Sequence, residues 1–182
     1  MKITDDELIS GCKAGKRDLQ KALYMRFSAK MLGICLRYTR NREEAEDVLQ
    51  DGFVKVFQHL PQYAFAGSFE GWIRKIMVNA ALEHLRKRKI VFAQSDIQNL
   101  EDDCLLDADV ISKMGVQDLL GIIRELSPGY QVVFNLYAIE GFSHKEIAAM
   151  LDISEGTSKS QLARARKILQ DKINTGKMKP VP

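Results

Sequence analysis

Residues 141–169 read GFSHKEIAAMLDISEGTSKSQLARARKIL, and this stretch decides the fold of the C-terminal part of the chain. Ser143 and Glu146 have the spacing of a capping box, which predicts the start of a helix. A short turn at Asp152 follows, and Ser154 can cap a second helix. Two short helices joined by so tight a turn predict a helix-turn-helix.

The second helix of this motif has an inward stripe and a basic side. The inward stripe is predicted at Ser158, Leu162, Ala165 and Leu169. The other side is predicted to carry Lys159, Ser160, Ala163, Arg164, Arg166 and Lys167. Basic residues on that side favour contact with the DNA major groove. The alternative is a pair of core helices with a solvated charged face, and the tight turn and the small Ala148 at the predicted helix crossing disfavour it.

Helical spacing of apolar residues continues through most of the chain, so we predict an all-α fold. Further helices are predicted to begin at the caps Thr4, Asn41, Ser68 and Ser127. A longer helix is predicted from about residue 18 to residue 38, and Pro61 is predicted to stop the next one.

Residues 90–112 differ from their surroundings, because they contain six acidic residues, no Lys or Arg, and little apolar periodicity. We interpret them as an acidic linker. The fold is therefore expected as two small helical domains, an N-terminal one at residues 1–89 and a C-terminal helix-turn-helix domain at residues 113–176.

Composition excludes several classes of protein. The 182 residues are 46% hydrophobic, and the net charge of +3 is too small for a polycation that coats DNA indiscriminately. The three cysteines and three histidines lack metal-ligand spacing, so we expect neither a metal nor a cofactor. The scattered cysteines and the absence of a signal peptide or of an apolar run of about 18 residues predict a cytoplasmic protein with no membrane insertion.

Three segments, in order, carry a resemblance to a known family. They are residues 45–57 (AEDVLQDGFVKVF), residues 67–89 (GSFEGWIRKIMVNAALEHLRKRK) and residues 141–169. With the acidic linker between the second and third, they resemble a bacterial RNA polymerase sigma factor of the extracytoplasmic-function (ECF) type. The resemblance implies a protein that is not an enzyme, binds core RNA polymerase, directs it to promoter DNA and helps to open the promoter.

The first segment resembles the helix that docks on the coiled coil of the largest polymerase subunit. The resemblance assigns polymerase binding to Asp47, Gln50 and Asp51. Acidic side chains suit a partner that bears arginines. From the residues alone a solvated amphipathic helix remains the alternative, because acids are also favoured near a helix N-terminus. Gly52 costs about 1 kcal/mol inside a helix, which close helix packing would explain.

The second segment resembles the part that melts and holds the promoter −10 element. The loop at residues 62–68, with Tyr63 and Phe65, corresponds to the family loop that captures a flipped base. The residues assigned to −10 DNA are Tyr63, Ser68, Arg74, Lys75, Asn79, Arg86 and Lys87. Phe69 and Trp72 share the apolar stripe of the following helix, so core packing is favoured over base contact for both.

The third segment resembles the domain that reads the −35 element as duplex DNA. The residues assigned to it are Lys145, Gly156, Thr157, Lys159, Ser160, Arg164 and Arg166. The family often has an aliphatic residue where Ser158 stands and a basic one where Gln161 stands. Gln161 either removes a phosphate contact or offers adenine recognition.

The resemblance also bears on the linker and on partners. The linker resembles the segment threaded through the polymerase active-site cleft, and its acids either imitate nucleic acid or simply keep a tether soluble. An anti-sigma factor commonly holds members of this family inactive, which adds such a factor to the candidate partners.

Two other functions were weighed. A stand-alone helix-turn-helix regulator controlled by its N-terminal domain needs a sensor domain, and no βαβ pattern is readable. An enzyme needs a nucleophile–base set or a phosphate-binding loop, and neither occurs in the sequence. The histidines His59, His84 and His144 are interpreted as helix-surface residues.

Overall fold

The computed structural model describes residues 3–65, 67–87 and 116–175. They belong to two compact units, Met1–Lys89 and Ile90–Pro182, and every regular element within the described ranges is helical. The all-α prediction is confirmed. The predicted acidic linker at residues 90–112 lies outside the described residues, so the domain boundaries stay a prediction.

The N-terminal unit is built from helices that surround one apolar core. They are α1 (Asp5–Lys13), α2 (Arg17–Cys35), α3 (Arg42–His59) and α4 (Phe69–Lys87), with a 3₁₀ turn (Leu60–Gln62) after α3. α2, α3 and α4 all pack against one another, and α1 packs on α2. Their buried side chains include Leu23, Met31, Val48, Val56, Ile73 and Met77. Burying each such side chain stabilises the fold by about 1.5–3 kcal/mol.

Local hydrogen bonds explain where these helices begin. Thr4 and Glu7 form the predicted capping box, with 2.8 Å from Thr4 N to Glu7 Oε2 and 3.2 Å from Glu7 N to Thr4 Oγ1. Asn41 Oδ1 accepts from the backbone N–H of Glu44 at 2.8 Å. Ser68 Oγ accepts from the backbone N–H of Gly71 at 3.1 Å. Each cap satisfies an amide that the helix itself cannot pair.

Two helix ends need comment. α2 ends at Cys35, not near residue 38 as predicted, and the Thr39 hydroxyl donates to the Cys35 carbonyl at 3.0 Å. Such a bond satisfies one of the carbonyls that a helix end leaves unpaired. α3 ends at His59, and Pro61 stands in the following turn as predicted.

Gly52 marks a close approach of α3 and α4. A Cβ atom at this position would lie 2.3 Å from Met77 Sδ, and Met77 is fully buried. A side chain here would require the buried Met77 side chain to shift, which confirms the close packing suggested for Gly52.

The C-terminal unit contains the helix-turn-helix. Its helices are α5 (Val116–Arg124), α6 (Pro128–Phe134), α7 (His144–Leu151) and α8 (Glu155–Asn174), with a π-helical turn (Asn135–Ile139) after α6. α8 packs on both α6 and α7. Ser127 stands at the N-cap of α6, before Pro128, without a capping hydrogen bond from its side chain.

The turn between α7 and α8 has the predicted chemistry. Ser143 and Glu146 form the capping box of α7, with 2.8 Å from Ser143 N to Glu146 Oε2. Asp152 ends α7 in the left-handed region at φ +56°, and Ser154 Oγ accepts from the Thr157 N–H at 2.9 Å. The helix-turn-helix and its start signals are thereby confirmed.

The inward stripe of α8 is also confirmed, since Ser158, Leu162, Ala165 and Leu169 are all buried. They meet Ile147 of α7 and the buried residues of α6 in the core of this unit. Within the described ranges no helix is both long and apolar enough to cross a membrane.

Candidate functional site

One side of α3 is exposed and acidic. Asp47, Gln50 and Asp51 are all exposed, and their spacing of three and four places them on one side of the helix. The exposed residues on that side form what we call the α3 stripe: Glu43, Asp47, Gln50, Asp51 and Val54. The structure thus brings the three predicted polymerase-binding residues together on a helix whose opposite side is core.

Val54 was not identified from the sequence. Its side chain is 54% exposed although it is apolar, and it continues the α3 stripe by one turn beyond Asp51. Nearby, the Tyr24 ring of α2 packs on Phe53, with ring centroids 4.7 Å apart. The sequence signal that could have identified Val54 is an apolar, β-branched residue three positions after Asp51, on the same side of the helix.

α4 divides the predicted −10 residues between two sides. Lys75, Asn79 and Arg86 are exposed and share one side, because they are four and seven residues apart. Arg74 is half-buried and lies about 100° around the helix from Lys75, so it does not belong to this side. Lys87 is exposed at the end of the helix.

An acidic residue interrupts the cationic side of α4. Glu83 lies between Asn79 and Arg86 and forms an ion pair with Lys55 of α3, with 2.5 Å between Nζ and Oε2. The pair neutralises the one carboxylate on this side, which leaves the side net positive.

Four aromatic rings gather where the loop at residues 63–67 enters α4. The Tyr63 ring lies 5.3 Å from Phe69 and 5.0 Å from Trp72, and Phe69 and Trp72 are stacked at 5.8 Å. Phe69 is buried and Trp72 is half-buried, in line with the expected core packing of both. Phe65 alone of the four is exposed, at 56%.

Tyr63, which was assigned to −10 DNA, is buried. It is only 6% exposed, because its ring packs against Phe69 and Trp72. Its hydroxyl donates to the Gly67 carbonyl at 3.1 Å, across the loop. The structure therefore places Tyr63 as a support of the loop and Phe65 as its outward ring. Ser68 is exposed, but its hydroxyl is occupied as the cap of α4.

Fewer residues are exposed on the outward side of α8 than the sequence predicted. Its members, which we call the α8 reading side, are Gly156, Lys159, Ser160 and Lys167. Gly156, Lys159 and Lys167 are exposed and Ser160 is half-buried. Lys145 on α7 is exposed as well. Lys167 was not among the residues assigned to the −35 element, although its spacing of seven and eight from Ser160 and Lys159 points to this side.

Thr157, which was assigned to the −35 element, and Gln161, for which adenine recognition was one of two alternatives, both lie inside the unit. Thr157 is 6% exposed, and its hydroxyl lies 2.8 Å from Ser154 Oγ in the cap of α8. Gln161 is 1% exposed and lies against Gly129 of α6. α6 covers this side of α8, so the suggestion of adenine recognition by Gln161 is wrong. Ala163, expected on the outward side, is also buried.

Aromatic residues hold the two arginines of α8. Arg164 Nη1 donates to the Tyr130 hydroxyl of α6 at 3.3 Å. The Arg166 guanidinium lies over the Tyr137 ring, 5.7 Å from its centroid. Both side chains are half-buried at the edges of the motif, so their charged ends are positioned by contacts within the unit.

His144 is not a simple surface residue. Its ring stacks on Tyr137 with centroids 4.5 Å apart, and Nδ1 lies 2.9 Å from Ser158 Oγ. Ser158, which stands where the family often has an aliphatic residue, is fully buried. Its hydroxyl therefore has His144 as a polar partner inside the unit. The contact ties the first residue of α7 to α8. Among the described residues, no group of three or more His, Cys, Asp or Glu side chains is arranged to hold a metal ion.

Comparison with known families connects these surfaces. The family model of Sigma-70 region 2 matches residues 23–90, and that of Sigma-70, region 4 matches residues 117–169, about two thirds of the chain in all. The chain belongs to the sigma-70 family. This sigma factor carries the α3 stripe and α4 within its region 2 and the helix-turn-helix within its region 4.

Individual relatives extend the likeness over nearly the whole sigma factor. The RNA polymerase sigma-H factor of Pseudomonas aeruginosa is 26% identical over 91% of each chain. The ECF RNA polymerase sigma-E factor of Haemophilus influenzae is 25% identical over 94% of this chain and 96% of its own. The predicted ECF type is confirmed, and with it the function of directing RNA polymerase to promoters.

A solved structure supports the fold. The sigma factor RpoE of Bartonella quintana, in a co-crystal with the anti-sigma factor NepR, has a TM-score of 0.53 to this chain and is 24% identical. The match covers 83% of this chain and 94% of that one. The two chains therefore share their helical architecture.

Proposed function

We propose that this sigma factor holds RNA polymerase and promoter DNA through three separate surfaces. The α3 stripe binds the coiled coil of the largest polymerase subunit, the N-terminal unit holds the −10 strand, and the α8 reading side contacts the −35 duplex. The observation that carries the proposal is the exposure of Asp47, Gln50 and Asp51 together on one side of a helix that the core fixes on its other side.

The docking surface is supported by charge and by shape. Asp47 and Asp51 supply carboxylates for charge-assisted hydrogen bonds with basic residues of a partner helix. Val54 adds an apolar contact at the end of the same stripe.

The −10 surface combines an exposed ring with cations. Phe65 offers a face on which an unpaired base can stack, and Lys75 and Arg86 lie on the exposed side of α4 for the phosphates. Tyr63, Ser68 and Arg74 support the loop and the helix in this proposal. Asn79 and Lys87 complete the strand contacts.

The −35 surface is proposed at the α8 reading side. Lys159, Ser160 and Lys167 face outward at helical spacing, as a helix that lies in the major groove requires. Gly156 lets the helix N-terminus approach a phosphate, and Lys145 supplies a second contact from α7. Arg164 and Arg166 reach the DNA backbone from the edges of the motif, whereas Thr157 acts through the cap of α8.

Partners and location follow from the same proposal. Core RNA polymerase and promoter DNA are the partners of the active state, which places the protein in the cytoplasm. The Bartonella quintana sigma factor was solved with an anti-sigma factor, and we propose a partner of the same kind for this chain. The protein performs no chemistry of its own in this scheme and needs no cofactor.

Reconstituted transcription tests the proposal. The purified chain is added to core RNA polymerase with a set of promoter templates, and transcripts are counted with each component left out in turn. We expect specific initiation only when the chain and the core enzyme are both present. Tight, sequence-specific duplex binding by the chain alone, without initiation, would instead favour the stand-alone regulator.

A further inference from the structure

The last residue of α1 contacts the loop that precedes α4. Lys13 Nζ donates to the Tyr63 carbonyl at 3.3 Å, and the same ammonium lies 5.4 Å from the centroid of the Phe65 ring. Lys13 and Tyr63 are 50 residues apart in the sequence. One side chain therefore holds both the backbone and the exposed ring of this loop.

Phe65 has a conformation that needs such support. Its φ of +57° lies in the left-handed region, which bulky residues rarely adopt, and its ring is 56% exposed. A residue stays in such a conformation only when its surroundings hold it there. Here Lys13 approaches the ring directly, and the Tyr63 ring lies 5.1 Å away.

The rest of the loop is closed by Tyr63. Its hydroxyl donates to the Gly67 carbonyl at 3.1 Å, and Gly67 has a positive φ of +86°. Lys13 contacts the carbonyl of Tyr63 itself. Lys13 therefore contacts the backbone at Tyr63, and the Tyr63 hydroxyl contacts the backbone at Gly67.

We propose that Lys13 is a positioning residue for −10 recognition. It holds the Tyr63 carbonyl and the Phe65 ring so that Phe65 presents its free surface to an unpaired base. This inference rests on the proposed −10 function of the N-terminal unit. A ring already ordered before the strand arrives loses less conformational freedom on binding, so the strand binds more tightly.

Anchoring of α1 is not the reason for this contact. Leu8, Ile9 and Cys12 of α1 are all buried, so the helix is attached to the unit through its apolar side. Lys13 itself is exposed at the end of the helix. Its removal is therefore expected to loosen the loop without releasing α1.

The test measures strand binding by the assembled holoenzyme. The ligand is a single-stranded oligonucleotide with the non-template −10 element of a promoter from which this holoenzyme initiates. We expect Lys13→Met to weaken its binding roughly 5- to 10-fold, as loss of a cation–aromatic contact and of loop order predicts. Lys13→Arg should stay within about twofold of the parent, because a guanidinium also donates and stacks on rings. Lys21→Met removes the same charge from an exposed site on α2 and is the matched control.

A second variant asks whether Lys13 acts through Phe65. If it does, Lys13→Met should add nothing to the loss caused by Phe65→Ala, since interacting residues are not additive. Multiplied losses would mean that Lys13 contacts the strand by itself, and unchanged binding by Lys13→Met would remove its role altogether. Either result overturns the inference.

If the proposed −10 function of the N-terminal unit is wrong, the variants give a different set of affinities. In that case Phe65→Ala itself leaves strand binding unchanged while the holoenzyme still assembles. Melting temperatures of all variants are compared, and a large fall for Lys13→Met alone would assign Lys13 to stability and contradict the inference.

Discussion

Asp47 stands in the middle of the α3 stripe, with Gln50 and Asp51 one turn further along. We expect Asp47→Lys to weaken binding to core RNA polymerase at least tenfold, because a charge-assisted hydrogen bond contributes about 1.5–3 kcal/mol and the reversed charge is repelled. Affinity is measured with labelled core enzyme, and circular dichroism checks the fold. Asp6→Lys reverses an exposed charge on α1 and should bind normally. Equal affinities for the two variants would remove the docking assignment.

Burial protects the thiol of Cys35. Desolvation raises the pKa of Cys35 to about 12, and it also raises the pKa of Cys12. The folded state therefore keeps the Cys35 proton at pH values where the unfolded chain, with a pKa near 8.5, has lost it. The stability contributed by this group is fully present below that pH and falls as the pH rises towards 12.

Alkylation checks this protection. At pH 8.5 iodoacetamide should modify Cys35 in urea but not in the folded protein, because the thiolate is the reactive form. Peptide mass spectrometry locates each modified cysteine. Rapid modification of Cys35 in the native protein would contradict its burial.

At the scale of helices, two glycines in similar elements should respond in opposite ways. Gly52→Ala places a Cβ atom against buried Met77, and overpacking of this kind costs about 1–3 kcal/mol against a helix gain of about 1 kcal/mol. Gly33 lies inside α2 with no atom within 4 Å of an added Cβ, so Gly33→Ala should gain about 0.5–1 kcal/mol. Urea unfolding measures the free energy of unfolding of both variants. If Gly33→Ala also destabilised the protein, the loss at Gly52 could not be assigned to its contact with Met77.

Capping residues in the sequence predicted where helices start, but they did not predict which side of a helix another helix buries. The caps at Thr4 and Ser143 need only residues three positions away, which a sequence displays directly. The burial of Gln161 depends on α6, about 30 residues earlier in the chain, and periodicity within α8 cannot reveal it. Thr157 was assigned to the −35 element by the resemblance, and the structure instead buries its side chain at the cap of α8.

Long-range contacts also explain the missed features of the N-terminal site. Tyr63 is buried because Phe69 and Trp72 fold back over it, and Lys13 meets it from another helix. Pro61 and the cap Ser68 were sufficient signals for a loop between α3 and α4, but not for the direction in which each ring points. The α3 stripe was predictable because its residues depend on a single helix.

At the scale of the whole molecule, the charge balance makes promoter binding a joint property of sigma factor and polymerase. The chain carries a net charge of only +3, so each unit can neutralise few phosphates by itself. We expect two weak contacts held on one polymerase to act at a raised effective concentration and thereby to give the assembly its affinity.

Salt dependence tests this description. Lys167→Ala should weaken binding of the holoenzyme to −35 duplexes about equally for all sequences and reduce the slope of log affinity against log salt by about 1. Lys172→Ala is the control, because Lys172 lies in the last turn of α8 and already pairs with Glu125. Binding is measured by titration at several salt concentrations. A change in sequence preference caused by Lys167→Ala would show that Lys167 reads bases and not phosphates.

The burial of Thr157 and Gln161 limits how this protein can be retargeted to new promoters. A library that randomises the whole N-terminal half of α8 spends positions on buried residues, among them Thr157 in the cap of α8 and Gln161 against α6. Substitutions there alter the tilt of α8 and shift every contact at once, so their effects cannot be combined freely. Diversity placed at Lys159 and Ser160 on the proposed −35 surface leaves these buried residues unchanged, and we expect these two positions to be the better starting set for building orthogonal gene circuits.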